Sequence, residues 1–239
     1  MSLELSIDIV LAMGCAFSLA ACGALWKNSL MVEACGLLKT YTTKHTLWAQ
    51  VKDRFLWDMS LSLICWLMAL GMRVAVHTLV NIGSAAEPHW WANFARFTII
   101  SGILNGLVSF SLYLCRCMLT MVDDFSSTMN TRQQFGESLQ DWNLMQSVHR
   151  NTCQAIQIPF MVMQTTAMVV CILAIQETIR SFESDRLLVM APGLLVALDI
   201  FRICIYAGVL TDRCTRLPIL ISGLGLKTKN GGGLNLNWE

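Results

Sequence analysis

Charge is scarce in this sequence. Of 239 residues only 14% are Asp, Glu, Lys or Arg. Ordinary soluble domains carry about a quarter, so there is too little charge to dress a globular surface of this size. The net charge is +1 and no basic stripe is interleaved with aromatics, which excludes a phosphate-backbone binder and leaves nucleic acid out of the expected partners. Gly-x-Ser-x-Gly, His-Glu-x-x-His and Gly-x-x-x-x-Gly-Lys are missing, and with them the usual grounds for an enzyme. Cys-x-x-Cys is missing too; the tightest pair is Cys115-Arg116-Cys117, so neither a metal site nor a cofactor is expected. The ten cysteines lie mostly in apolar runs, where they act as small reduced hydrophobes.

Apolar residues fill the space that charge leaves. They make up 55% of the chain, and the mean hydropathy is +0.54. Five stretches reach the roughly 20 mostly apolar residues that a spanning helix needs, at approximately 6–26, 59–82, 97–121, 156–179 and 187–210. Period-two alternation is absent, so the expected fold is all-α: a multi-pass transmembrane bundle of five spanning helices with helical extensions on the cytoplasmic side. Trp26, Trp57, Trp90 and Trp91 flank the spans at headgroup level. Residues 1–221 form one transmembrane domain, and the glycine-rich 222–239 reads as a flexible tail.

Residues 19–22, Leu-Ala-Ala-Cys, resemble a cleavage or lipid-attachment site. Glu4 and Asp8 precede them with no Lys or Arg, unlike the basic start of a signal peptide, so an uncleaved first helix is expected. Lys27, Lys39, Lys44, Lys52 and Arg54 follow the first span, Arg116 near the end of the third is counted with Arg132 and Arg150 beyond it, and Arg213, Arg216, Lys227 and Lys229 follow the fifth. Because basic loops stay cytoplasmic, the N-terminus is expected outside and the C-terminus inside, in the plasma membrane. Between spans three and four, Trp142, Met145, Val148 and Cys153 form an apolar stripe at helical spacing, which predicts a helix projecting from the membrane.

The fifth span carries two full charges, Asp199 and Arg202. About a dozen Leu, Ile, Val and Phe there contribute around −0.3 to −0.6 kcal/mol each to insertion, and each central charge costs roughly +2.5 to +3.5. Spaced three apart, the two share a helix face and can pair. Such a pair either locks the helix to its neighbours or lines a ligand cavity. Arg73 in the second span, with His77 four residues on, extends the cavity reading, and contact between Arg73 and Asp199 is one expectation. The bland alternative has Arg73 reaching out to the headgroups. The candidate ligand-binding or intramembrane polar cluster is therefore Arg73, His77, Asp199 and Arg202. Gly102 and Gly106 form a Gly-x-x-x-Gly, and Gly14 and Gly23 also permit close helix approach.

Three pieces in order, LYLCRCMLTMVDDF, SLQDWNLMQSVHRNTCQAI and GVLTDRCTRLPILISGLGL, span about 112–226. Their layout resembles the insect gustatory and odorant receptor superfamily. The resemblance implies that the five spans correspond to the second through sixth helices of a seven-helix chemoreceptor, with the orientation given above. It also implies a ligand-gated cation channel subunit, a homo-oligomer and a small-molecule ligand. The family's final pore helix, with Thr-Tyr and Gln-Phe, has no counterpart: Thr40-Tyr41 is followed by TTKH. The alternative is a non-catalytic accessory subunit of a larger membrane complex, whose partners are lipid and neighbouring subunits.

Overall fold

The computed structural model describes residues 3–27, 29–44, 46–80, 90–131, 135–180 and 184–231. They form six helices: α1 (Leu3–Lys27), α2 (Leu30–Lys44), α3 (Trp48–Val80), α4 (Trp90–Thr131), α5 (Phe135–Arg180) and α6 (Ser184–Gly231). Five of them are long and apolar enough to cross a membrane, along Leu5–Lys27, Ala49–Thr78, Trp90–Thr128, Trp142–Gln176 and Met190–Leu217. The fold is thus an all-helical multi-pass bundle. Its apolar exterior, including Phe17, Trp57, Ile64, Leu67 and Ile172, suits lipid and would be untenable against water. α6 continues as helix to Gly231, through much of the stretch whose glycines suggest a flexible tail; residues 232–239 lie outside the described residues.

Helices α4, α5 and α6 have 42, 46 and 48 residues. At 1.5 Å per residue that is about 63 to 72 Å of helix, against a hydrocarbon layer of roughly 30 Å. Much of each helix therefore runs beyond its membrane span. Two apolar cores reflect this. One, with Leu11, Phe97, Leu104, Met163 and Ile200, lies among the spans. The other, with Met118, Met121, Phe125, Met145, Val148 and Leu217, gathers the later part of α4, the earlier part of α5 and the later part of α6 together with α2. This second core lies at the end of the bundle that carries Lys27 and Lys39, here the basic side. The stripe Trp142, Met145 and Val148 is part of it, in α5.

α2 is a connector that hydropathy alone passes over. Its buried residues Ala34, Leu38 and Tyr41 recur at helical spacing, and Ala34 packs with Ala155 of α5. α2 ends in a Schellman closure: Leu47 N–H donates to Thr42 O at 3.0 Å and Thr46 N–H to Thr43 O at 3.4 Å. Thr46 takes the left-handed position, φ 54°, where glycine is the usual occupant.

α1 packs closely along α5. A Cβ at Gly14 would stand 2.6 Å from Cγ2 of Thr166, so only a hydrogen fits there. Gly102 performs a milder version of this, lying against the indole of Trp66, whereas Gly23 and Gly106 face nothing within 4 Å.

Candidate functional site

Most of the charged residues of the spans gather along one seam, the buried face of α3, where it meets α4 and α6 and, at one end, α1. α3 is built opposite to a soluble helix: its buried positions include Asp58, Ser62 and Arg73, while Leu56, Leu63, Ile64, Leu67 and Met68 are exposed. Positions 58, 62, 69 and 73 recur at steps of four, seven and four, which keeps them on one face. In lipid an apolar exterior costs nothing, and the interior becomes the place where polar groups find partners.

The inner part of the seam is a four-charge network. Asp58 on α3 receives Arg116 Nε of α4 on Oδ2 at 2.6 Å, and on Oδ1 it receives Arg202 Nη2 at 3.2 Å and the Tyr206 hydroxyl at 2.9 Å, both from α6. Arg116 Nη2 donates to the same tyrosine oxygen at 2.6 Å, and its guanidinium lies 4.3 Å from the centroid of that ring. Arg202 Nη1 donates to Asp199 Oδ1 at 2.7 Å. The second oxygen of Asp199 accepts from the Ser62 hydroxyl of α3. Two carboxylates meet two guanidiniums, every carboxylate oxygen has a donor, and the net charge is zero. Both aspartates are almost fully buried, so the pairing is what makes charge tolerable here.

A second cluster sits nearer the N-terminal side. Arg73 Nη2 of α3 donates to Asp8 Oδ2 of α1 at 2.9 Å, and Arg96 Nη2 of α4 approaches the same oxygen at 3.4 Å. The Arg73 guanidinium also lies 4.8 Å from the Phe97 ring centroid. The side chain of Arg73 is only 8% exposed, so the expectation that it reaches the headgroups is corrected. Its expected contact with Asp199 is corrected as well: Arg73 pairs with Asp8, and Asp199 with Arg202 and Ser62. The eleven residues from Ser62 to Arg73 rise about 16 Å along α3, which is why the two charge groups stay apart. His77 packs on Trp90, with ring centroids 4.2 Å apart.

Between the clusters, Trp66 Nε1 donates to Ser101 Oγ at 3.0 Å, and Ser101 donates to the Phe97 carbonyl at 2.7 Å. A narrow cleft lies beside them, lined by Cys65, Trp66, Ser101, Asn105 and Asp199 among others. It has room for about one water molecule.

Of the four residues singled out from the sequence, Asp199 and Arg202 meet, Arg73 anchors the other cluster, and His77 stands beside it. Sequence reasoning passed over Asp8, Asp58, Ser62, Arg116 and Tyr206. Arg116 reads as a loop cation from charge counting, yet it lies within α4 and pairs with Asp58. The signal for Asp58 was its place one residue before the predicted second span.

Among the described residues no three His, Cys, Asp or Glu side chains gather as a metal set. All ten cysteines are free thiols, with Cys15, Cys115 and Cys117 buried. On α2, outside the spans, burial raises the Cys35 thiol above its ordinary value.

Fold and seam together define an integral, all-helical, multi-pass membrane protein whose spans are joined by internal ion pairs. No family model, curated protein or solved structure matches the chain.

Proposed function

We propose that this protein is a subunit of a chemoreceptor-type, ligand-gated cation channel, related in layout to the insect gustatory and odorant receptors and working as a homo-oligomer in the plasma membrane. The observation that supports this reading is that α4, α5 and α6 are longer than a bilayer requires and pack together toward the basic side around Met118, Phe125, Met145 and Leu217. That is the arrangement the resemblance implies, with cytoplasmic helices holding subunits together. In this reading a small molecule enters between the helices on the N-terminal side, near Arg73 and His77, and Asp199 and Arg202 lie deeper, in the network that α6 makes with α3 and α4.

A second reading, a non-catalytic accessory subunit of a larger membrane complex, is favoured by a different observation. The four charges of the inner network satisfy one another, and the cleft beside them is water-sized, which suits a lock better than a ligand pocket.

Purification from native membranes in mild detergent, followed by imaging and by cation-flux measurement in proteoliposomes, separates the two. A symmetric homo-oligomer with a central opening and ligand-dependent flux is the expected result. Unrelated subunits in fixed ratio, with no flux, would overturn the receptor reading in favour of the accessory one.

A further inference from the structure

Asn105 lies within α4, between Gly102 and Gly106, at the depth where α3, α4 and α6 meet. Its side-chain Oδ1 is buried and accepts no hydrogen bond from any described residue. In a bilayer such an acceptor has no bulk water to turn to, so it carries a lasting demand for a donor. It lines the same cleft as Asp199, Ser101, Trp66 and Cys65. Asp199 has one donor on each oxygen, Arg202 and Ser62, and a carboxylate oxygen can accept two. Ser101 accepts one bond, from Trp66, while its own proton goes to Phe97 O, which leaves its oxygen a second lone pair. Three acceptors with spare capacity thus border one cleft, and none of the described residues that line it is a cation.

The chemistry that fits is a small neutral donor. A metal ion is disfavoured because Arg202 already supplies the positive charge that Asp199 requires. A larger ligand does not fit a cleft of about one water in size. We propose that the cleft is a binding site for a structural water, which donates to Asn105 Oδ1 and to the Asp199 carboxylate and so ties α4 to α6 at mid-membrane. Buried waters typically make two to four hydrogen bonds to groups that would otherwise lack partners, and this site offers that number. The seam is then hydrated at its centre, between the Asp8–Arg73 pair and the inner network. The inference does not rest on the receptor reading.

Radiolytic hydroxyl-radical footprinting with residue-resolved mass spectrometry tests it on the full chain. The protein is placed in nanodiscs of phosphatidylcholine alone, so that no lipid hydroxyl competes for the cleft. Cys65 and Trp66, beside the site, are expected to oxidise at least ten-fold faster than Met68, which faces lipid on the same helix, after correction for intrinsic reactivity. Asn105→Leu, in preparations that remain monodisperse, is expected to bring Cys65 and Trp66 down to the Met68 rate. Oxidation of wild-type Cys65 and Trp66 no faster than Met68 overturns the proposal even if the variant cannot be prepared. Unchanged labelling in Asn105→Leu overturns it as well.

Discussion

Asp58 ties three helices at one point, because donors from α4 and α6 both end on its carboxylate on α3. Removing one member of a buried ionic group leaves the rest uncompensated, at a cost of about 3–5 kcal/mol. Asp58→Asn is therefore expected to lower stability by that amount, read from unfolding in bicelles. Asp58→Leu combined with Arg116→Leu is expected to cost less than the sum of the two single changes, with a coupling energy of about 1–3 kcal/mol. Additive losses would show that the pair does not act as a unit. The residue scale is also where the sequence was least legible. Asp199 and Arg202 were readable as a pair because three positions of one helix separate them. Asp58 finds Arg116 and Arg202 across 58 and 144 positions, and nothing local in the sequence announces such a match. Arg73 misled for the same reason, since its partner lies 65 positions away on α1.

Hydropathy and length located the five spanning helices well, since a run of apolar residues long enough to cross lipid leaves few other options. α2 escaped because fifteen residues of mixed polarity carry no such signature, and only the spacing of Ala34, Leu38 and Tyr41 betrays it. Two predictions belong to this scale. Gly14→Leu forces α1 away from Thr166 of α5, and overpacking of this kind typically costs about 1–3 kcal/mol. Thermal unfolding followed by tryptophan fluorescence should show the loss, whereas the same change at Gly23, which faces open space, should leave the midpoint nearly unmoved. Thr46→Gly relieves a β-branched residue held at φ 54°, and a gain of about 1 kcal/mol is expected from removing the Cβ clash of the left-handed conformation. A lower midpoint for that variant would show that the Thr46 side chain contributes more than its backbone strain costs.

The molecule as a whole is organised by alternation of direction. Asp8 with Arg73 and Arg96 gathers the start of α1, the end of α3 and the start of α4 at one end of the bundle. Asp123 of α4 and Arg213 of α6 meet at the other. With five crossings, the two termini are expected on opposite faces of the membrane, and from the distribution of Lys and Arg we propose that the C-terminus is the cytoplasmic one. Protease-protection of tags at each end checks this: a tag at the N-terminus should be cut in intact cells and one at the C-terminus only after permeabilisation. Tags that share a compartment would require an even number of crossings. At this scale composition was a good guide, because scarcity of charge is a property of the whole chain and survives errors at individual boundaries.

The inverted build of α3 has one more result. From Leu56 to Val74 its outward side is apolar apart from Ser60, and hydrocarbon chains do not distinguish one rotation of such a cylinder from another. The bearing of the rod is set by its anchors, the carboxylate at Asp58 near one end and the guanidinium at Arg73 near the other. Neutralising both would leave a helix that still inserts and still spans, with only the hydrogen bonds of Ser62 and Trp66 and its side-chain packing to hold its rotation.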